Sequence, residues 1–201
     1  DDGQTSTDTA EFFVLFLDSE GSAAGYIAGN GGSVEYGGFT GSHITPVSKS
    51  ERDDFYQLGL IVSSNGVALT DKFLSEPYVG TTVSKKQKDK AVLGVISGGP
   101  RLYDKGITLS EWKKDVYGIT VNSLGNGRVW VTNITGDIEN GDFICSSNIP
   151  GYGQMQDDDL MHNYTVAKAT ECVDWDKVTD TITHNGVEYK KFLIACSYHC
   201  G

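Results

Sequence analysis

The stretch YGITVNSLGNGRVWVTNI, residues 117–134, sets the fold class of this chain. Ile119 and Val121 alternate with polar neighbours, and Val129 and Val131 repeat the pattern further on. A period of two places successive side chains on opposite faces, which marks a strand with one buried side. Between the two runs, Leu124-Gly-Asn-Gly127 supplies residue types that tolerate positive φ. The local pattern therefore predicts two strands, 117–124 and 128–134, joined by a tight hairpin.

Working outward, the same texture recurs along most of the chain. Extended runs are predicted at 12–17, 43–47, 56–64, 91–98, 142–147, 164–173, 180–184 and 187–198. His184-Asn-Gly186 signals a second hairpin between DTIT and VEYKKF. The chain contains 25 glycines and only 4 prolines, a balance that suits many tight turns between short strands. GNGGSVEYGG, residues 29–38, reads as a glycine-rich loop, and SKKQKDKA, 84–91, as a solvated charged loop. The best helical segment is short, LSEWKKDV at 109–116 with Ser110 as its N-cap. The expectation is a mostly β, compact barrel or sandwich domain with at most short helices.

The 201 residues suffice for a real hydrophobic core without covalent staples. Lys and Arg number 16 against 27 Asp and Glu, a net charge of −11. That balance argues against nucleic acid or an anionic membrane as partner, because both attract basic surfaces. No apolar run reaches the length of a membrane span, and no basic start followed by an apolar stretch resembles a signal peptide. The chain opens without Met, and the expectation is a piece of something longer.

Four cysteines are too few for a disulfide scaffold in a chain of this length. Cys196 and Cys200 bracket His199 in CSYHC, which invites a zinc reading. The spacing lacks the tight pairing of zinc sites, so the preferred reading is a final strand with buried free thiols. Asp157-Asp158-Asp159 lacks the alternating oxygens of a calcium loop and reads as acids capping a turn at Leu160-Met161. His43 and His162 lie near hydroxyls or acids, with Ser42, Ser48 and Ser63 as the hydroxyls, but no nucleophile elbow, phosphate loop or dinucleotide fingerprint is present. No metal and no cofactor are expected. Trp130, Tyr152 and Tyr36 are candidate aromatic anchors for a partner surface.

Two segments remain. In STDTAEFFVLFL, residues 6–17, Asp8 and Glu11 stand three apart before six apolar residues. The pair reads either as a helix capping box or as two acids at the mouth of a first core strand. The apolar run has strand composition, which favours the second. In NGDFICSSNIPGYG, residues 140–153, Asn140-Gly141, Ser146-Ser147 and Pro150-Gly151 mark successive turns, with Asp142 positioned to cap the first.

STDTAEFF resembles the (S/T)-D-x-A-E-(aromatic/Met)-F segment of the intramolecular-chaperone autoproteolytic domains at the C-termini of phage appendage and tail-fibre proteins. Gly141, Asp142, Ser147, Pro150 and Gly151, followed by YTVAKATE, are similar to a second pattern of such fibre ends, and HITPV and VLGVISGG resemble two of their strands. The resemblance implies residues 1–7 as upstream linker and 8–201 as one β-rich domain. It implies a homotrimer that helps an upstream fibre fold and then cuts the chain between Thr7 and Asp8, with Asp8 and Glu11 as the acting acids. It further implies a virion protein, assembled in the host cytoplasm. At position 14, where the family usually carries an acid, this chain has Val14. The alternative is therefore the same architecture without cleavage, a fibre tip or decoration that binds a host surface receptor or another virion protein.

Overall fold

The computed structural model describes residues 11–17, 23–30, 33–37, 41–48, 57–70, 77–101 and 116–200. The chain divides into two compact units, Asp1–Thr40 and Gly41–Gly201. The boundary expected at residues 7 and 8 lies outside the described residues, as does most of the short helix expected at 109–116. Among the described residues the regular structure is all β, apart from one 3-10 turn at Asn133–Thr135.

The first unit is a three-stranded antiparallel sheet. Strands β1 (Glu11–Leu17), β2 (Ala23–Asn30) and β3 (Ser33–Gly37) lie in that order. The glycine-rich segment read as a loop is thus largely paired strand, with Asn30 opposite Ser33 and Ile27 opposite Tyr36. Glycine lowers strand propensity, but it does not prevent pairing when both neighbours supply a ladder.

The second unit holds β4 (Gly41–Ser48), β5 (Ile61–Thr70), β6 (Pro77–Val83), β7 (Val92–Arg101), β8 (Val116–Thr132), β9 (Phe143–Ser146), β10 (Gly153–Met155), β11 (Thr165–Ala169), β12 (Thr181–His184) and β13 (Val187–His199). The hairpin predicted at Leu124–Gly127 does not form. The chain from Val116 to Thr132 is one strand of 17 residues. Its first half pairs with β4 on one side and β7 on the other. Its second half pairs with β13, Leu124 through Thr132 against His199 through Lys191. Each half thus finds a distant partner, and the strand has no need to fold back on itself.

Five strands close into a barrel. β8 pairs with β13, β13 with β11, β11 with β9 and β9 with β10. The parallel register Gly153↔Val131 between β10 and β8 completes the ring. Closure removes exposed strand edges within that ring. Val129, Val131, Ile144, Val166, Ile194 and Cys196 fill its core, with Trp175 among the residues packed around them. A second core under β4, β5, β7 and the start of β8 contains Val47, Val62, Ile96, Ile119, Val121, Ile149 and Tyr152. One strand, β8, supplies both cores. Each fully buried Val or Ile contributes about 1.5–3 kcal/mol, so β8 is a principal source of stability.

Gly127 owes its place to a close approach rather than to a turn. A Cβ there would lie 2.3 Å from the Tyr198 hydroxyl and 2.4 Å from two ring carbons. The predicted hairpin at Asn185-Gly186 does form, with φ of 51° and 79° and His184 opposite Val187.

Candidate functional site

The proposed scissile pair, Thr7 and Asp8, lies outside the described residues. Glu11 opens β1 opposite Gly29. Among the described residues, those after it are not a buried core strand. Phe13, Val14, Leu15, Phe16 and Leu17 are all exposed, the two phenylalanines by 59 % and 56 %. The ladder with β2 shifts register at Phe12/Val14 and again at Phe16/Leu17. Among the described residues β1 is also an edge of its sheet. The expectation of a first core strand is therefore not met among the described residues, because β1 pairs its backbone with β2 without its side chains being covered.

The second motif is brought together around β9. Gly141, with φ of 104°, donates its N–H to the Ala169 carbonyl at 2.9 Å. The Asp142 carboxylate accepts the Glu139 N–H at 2.7 Å, and its carbonyl accepts the Ala169 N–H at 2.8 Å. Ser147 is fully buried, donates Oγ–H to the Tyr152 carbonyl at 2.7 Å and accepts the Ile149 N–H at 3.1 Å. Pro150 is exposed at the head of that turn. Gly151, with φ of 79°, donates to the Ser84 carbonyl and accepts from the Ile61 N–H. The hydrogen bonds of this set all run to backbone partners, so the motif builds the β9–β10 connection. Tyr152, read as a surface anchor, is 4 % exposed and belongs to the second core.

The remaining candidates also resolve into structural roles. The Asp158 carboxylate accepts from the Leu160 N–H, the Gln156 amide and the His162 ring at 2.9–3.0 Å, as expected of a turn cap. Those donors hold its pKa below the usual carboxylate value, the Leu160 amide most of all. Asp157 pairs with Lys88 at 2.6 Å. His43 Nε2 stands 3.0 Å from Ser123 Oγ, but the serine's single proton goes to the Gly41 carbonyl at 3.0 Å. The imidazole then donates to Oγ, the reverse of a general base. Ser63 is buried, and its hydroxyl has no partner among the described residues.

Cys196 and Cys200 point into the barrel core as free thiols, and burial pushes both up to about 12. Cys145 is likewise buried and raised to about 12 by desolvation. Among the described residues no group of three or more His, Cys, Asp or Glu side chains gathers to hold a metal.

The structure adds a feature that the sequence reading passed over. The outer faces of β8 and β13 and the segment 172–180 enclose a groove of about 530 Å³. Arg128, Trp130 and Lys191 line it. The signal existed in RVWVT, whose alternation turns Arg128 and Trp130 away from buried Val129 and Val131, but the opposite wall is remote in sequence. Compared with known proteins, the chain matches no family model, no curated protein and no solved structure.

Proposed function

We propose that this chain is the C-terminal domain of a viral fibre or appendage protein that promotes trimerisation and folding of the fibre upstream of it and then cuts itself between Thr7 and Asp8. One observation carries the reading: among the described residues, β1 leaves five consecutive apolar side chains, Phe13 to Leu17, and a strand edge exposed shortly after Glu11. An apolar edge strand of that kind is a liability unless other chains cover it. Three copies meeting about one axis bury it on every chain, and the homotrimer is assembled in the host cytoplasm into the virion.

The same burial prepares the chemistry. A carboxyl at the mouth of a dry apolar strand has its pKa raised toward neutral, whereas beside a wet one it does not. Within the trimer, one carboxylate of the pair Asp8 and Glu11 takes a proton from the water that attacks the Thr7 carbonyl. The other protonates the departing Asp8 amine, and the Thr7–Asp8 peptide bond breaks. Proximity within one chain suffices for a single turnover. Cleavage on this account follows association.

The test is to express the chain with several dozen residues added upstream, follow its mass over time at several concentrations, and measure its oligomeric state by light scattering. A trimer that loses its upstream segment at Thr7–Asp8, with Glu11→Gln uncut, supports the reading. A monomer overturns it. An intact wild-type trimer supports the second reading, a fibre tip that binds a host receptor without cleavage, which Val14 in place of the usual acid favours.

A further inference from the structure

The groove on the barrel wall carries an inference independent of self-association. Its floor is Trp130 with Leu193, which lies opposite it across the β8–β13 ladder. The indole is fixed: its Nε1–H donates to the Leu58 carbonyl at 3.0 Å, and its backbone N–H donates to the Gly59 carbonyl at 2.9 Å. The Lys191 ammonium lies over the ring at 5.0 Å from its centre. The far wall is tied to β13 by the Lys191 N–H, which donates to the Asp180 carbonyl at 2.9 Å.

The charges in the groove are unevenly spent. Lys177 and Asp174 neutralise each other at 2.7 Å. The Arg128 guanidinium and the Asp180 carboxylate have no side-chain partner among the described residues. Lys191 is held only by the face of the indole, so the groups without a polar side-chain partner among the described residues are two cations, one carboxylate and the Thr179 hydroxyl, around an aromatic floor. In a chain of net charge −11 this is a local excess of positive charge.

We propose that the groove binds a saccharide bearing a carboxylate. Each free group then has a partner. The ligand carboxylate pairs with Arg128, whose planar fork suits bidentate contact, and with Lys191. Its hydroxyls donate to Asp180 and exchange hydrogen bonds with Thr179. The ligand carboxylate draws the Lys191 ammonium off the Trp130 indole, and the C–H face of a sugar ring takes its place there. An inorganic anion leaves Trp130 and Asp180 unused, and a plain aromatic acid brings no donor to Asp180. The volume admits a short oligosaccharide, and the fixed indole lowers the ordering cost of binding.

The test uses the whole chain with four probes: digalacturonate, 3′-sialyllactose, lactose and benzoate, each followed by calorimetric titration and ligand-observed NMR. The expected result is saturable millimolar binding of at least one acidic sugar, the pair distinguishing uronate from sialoside. Lactose and benzoate should bind about tenfold or more weakly, as the loss of one charge-assisted contact implies. Arg128→Gln should weaken the acidic sugar by about the same factor with an unchanged melting temperature, since Arg128 is exposed and its backbone bonds remain. Asp180→Asn should weaken the sugar and leave benzoate unchanged. The proposal is overturned by equal binding of lactose, by benzoate binding as well as the acidic sugar, by an Arg128→Gln variant with wild-type affinity, or by no binding at all.

Discussion

Replacing Gly127 by Ala tests the central feature of the barrel, the continuity of β8 beneath Tyr198. The Tyr198 hydroxyl donates to the Arg128 carbonyl at 2.7 Å and accepts the Arg128 N–H at 2.9 Å, so the ring crosses the Gly127 backbone. A new Cβ would stand 2.3 Å from that hydroxyl, far inside van der Waals contact. The ring cannot swing away without giving up both hydrogen bonds and its place in the core. Overpacking costs about 1–3 kcal/mol. Two strained or broken neutral hydrogen bonds add about 1 kcal/mol each. The expected loss is about 3–5 kcal/mol, read as a lower midpoint in urea unfolding. The control is the same substitution with Tyr198→Val, whose side chain stops short of Gly127. There the cost of Gly127→Ala should fall below about 1 kcal/mol, a coupling of at least about 2 kcal/mol. If Gly127→Ala costs the same with and without the ring, the glycine serves its own backbone conformation, and the local hairpin reading regains its force.

Four further outcomes follow from named groups. Thr132 is fully buried, and its hydroxyl has no partner among the described residues, so Thr132→Val should raise stability by about 1 kcal/mol in the same assay. Of the four cysteines only Cys172 is exposed, so a thiol reagent at neutral pH should add one label to the native chain and four after unfolding, by mass. Burial holds Cys145, Cys196 and Cys200 at about 12 against 9.0 for a free thiol, so stability should be fully present below pH 9 and decline above it as the unfolded chain ionises first. The Asp158 pKa is depressed, so its cap on Leu160 is present above the usual carboxylate value of 3.8 and lost only as the pH falls through the lower folded one. Protection of the Leu160 amide from hydrogen exchange should disappear there, and at neutral pH in Asp158→Asn if the charge is what holds it.

The β class was legible because its signal is local. Alternation at Val129 and Val131, and in CSYHC where Cys196, Tyr198 and Cys200 all turn inward, needs only the period of a strand. Asn185-Gly186 was legible as a turn for the same reason, and the acids at Asp142 and Asp158 as caps, since each satisfies backbone within four residues of itself. Tertiary structure decided everything that depended on a distant partner. Whether LGNG reverses the chain or runs on was settled by β13, because it offers a ladder from Leu124 to Thr132 and the ring of Tyr198 that packs over Gly127, both of which a turn would forfeit. The burial of Tyr152 and the pairing of the glycine-rich 29–38 segment were settled in the same way. Of the groove only the outward turn of Arg128 and Trp130 was legible, since Arg128 and Asp180 stand far apart in sequence and become one site only when the 172–180 segment is laid beside β8. Composition and spacing fix which residues seek burial; the closure of the barrel determines which surfaces are left to do something else.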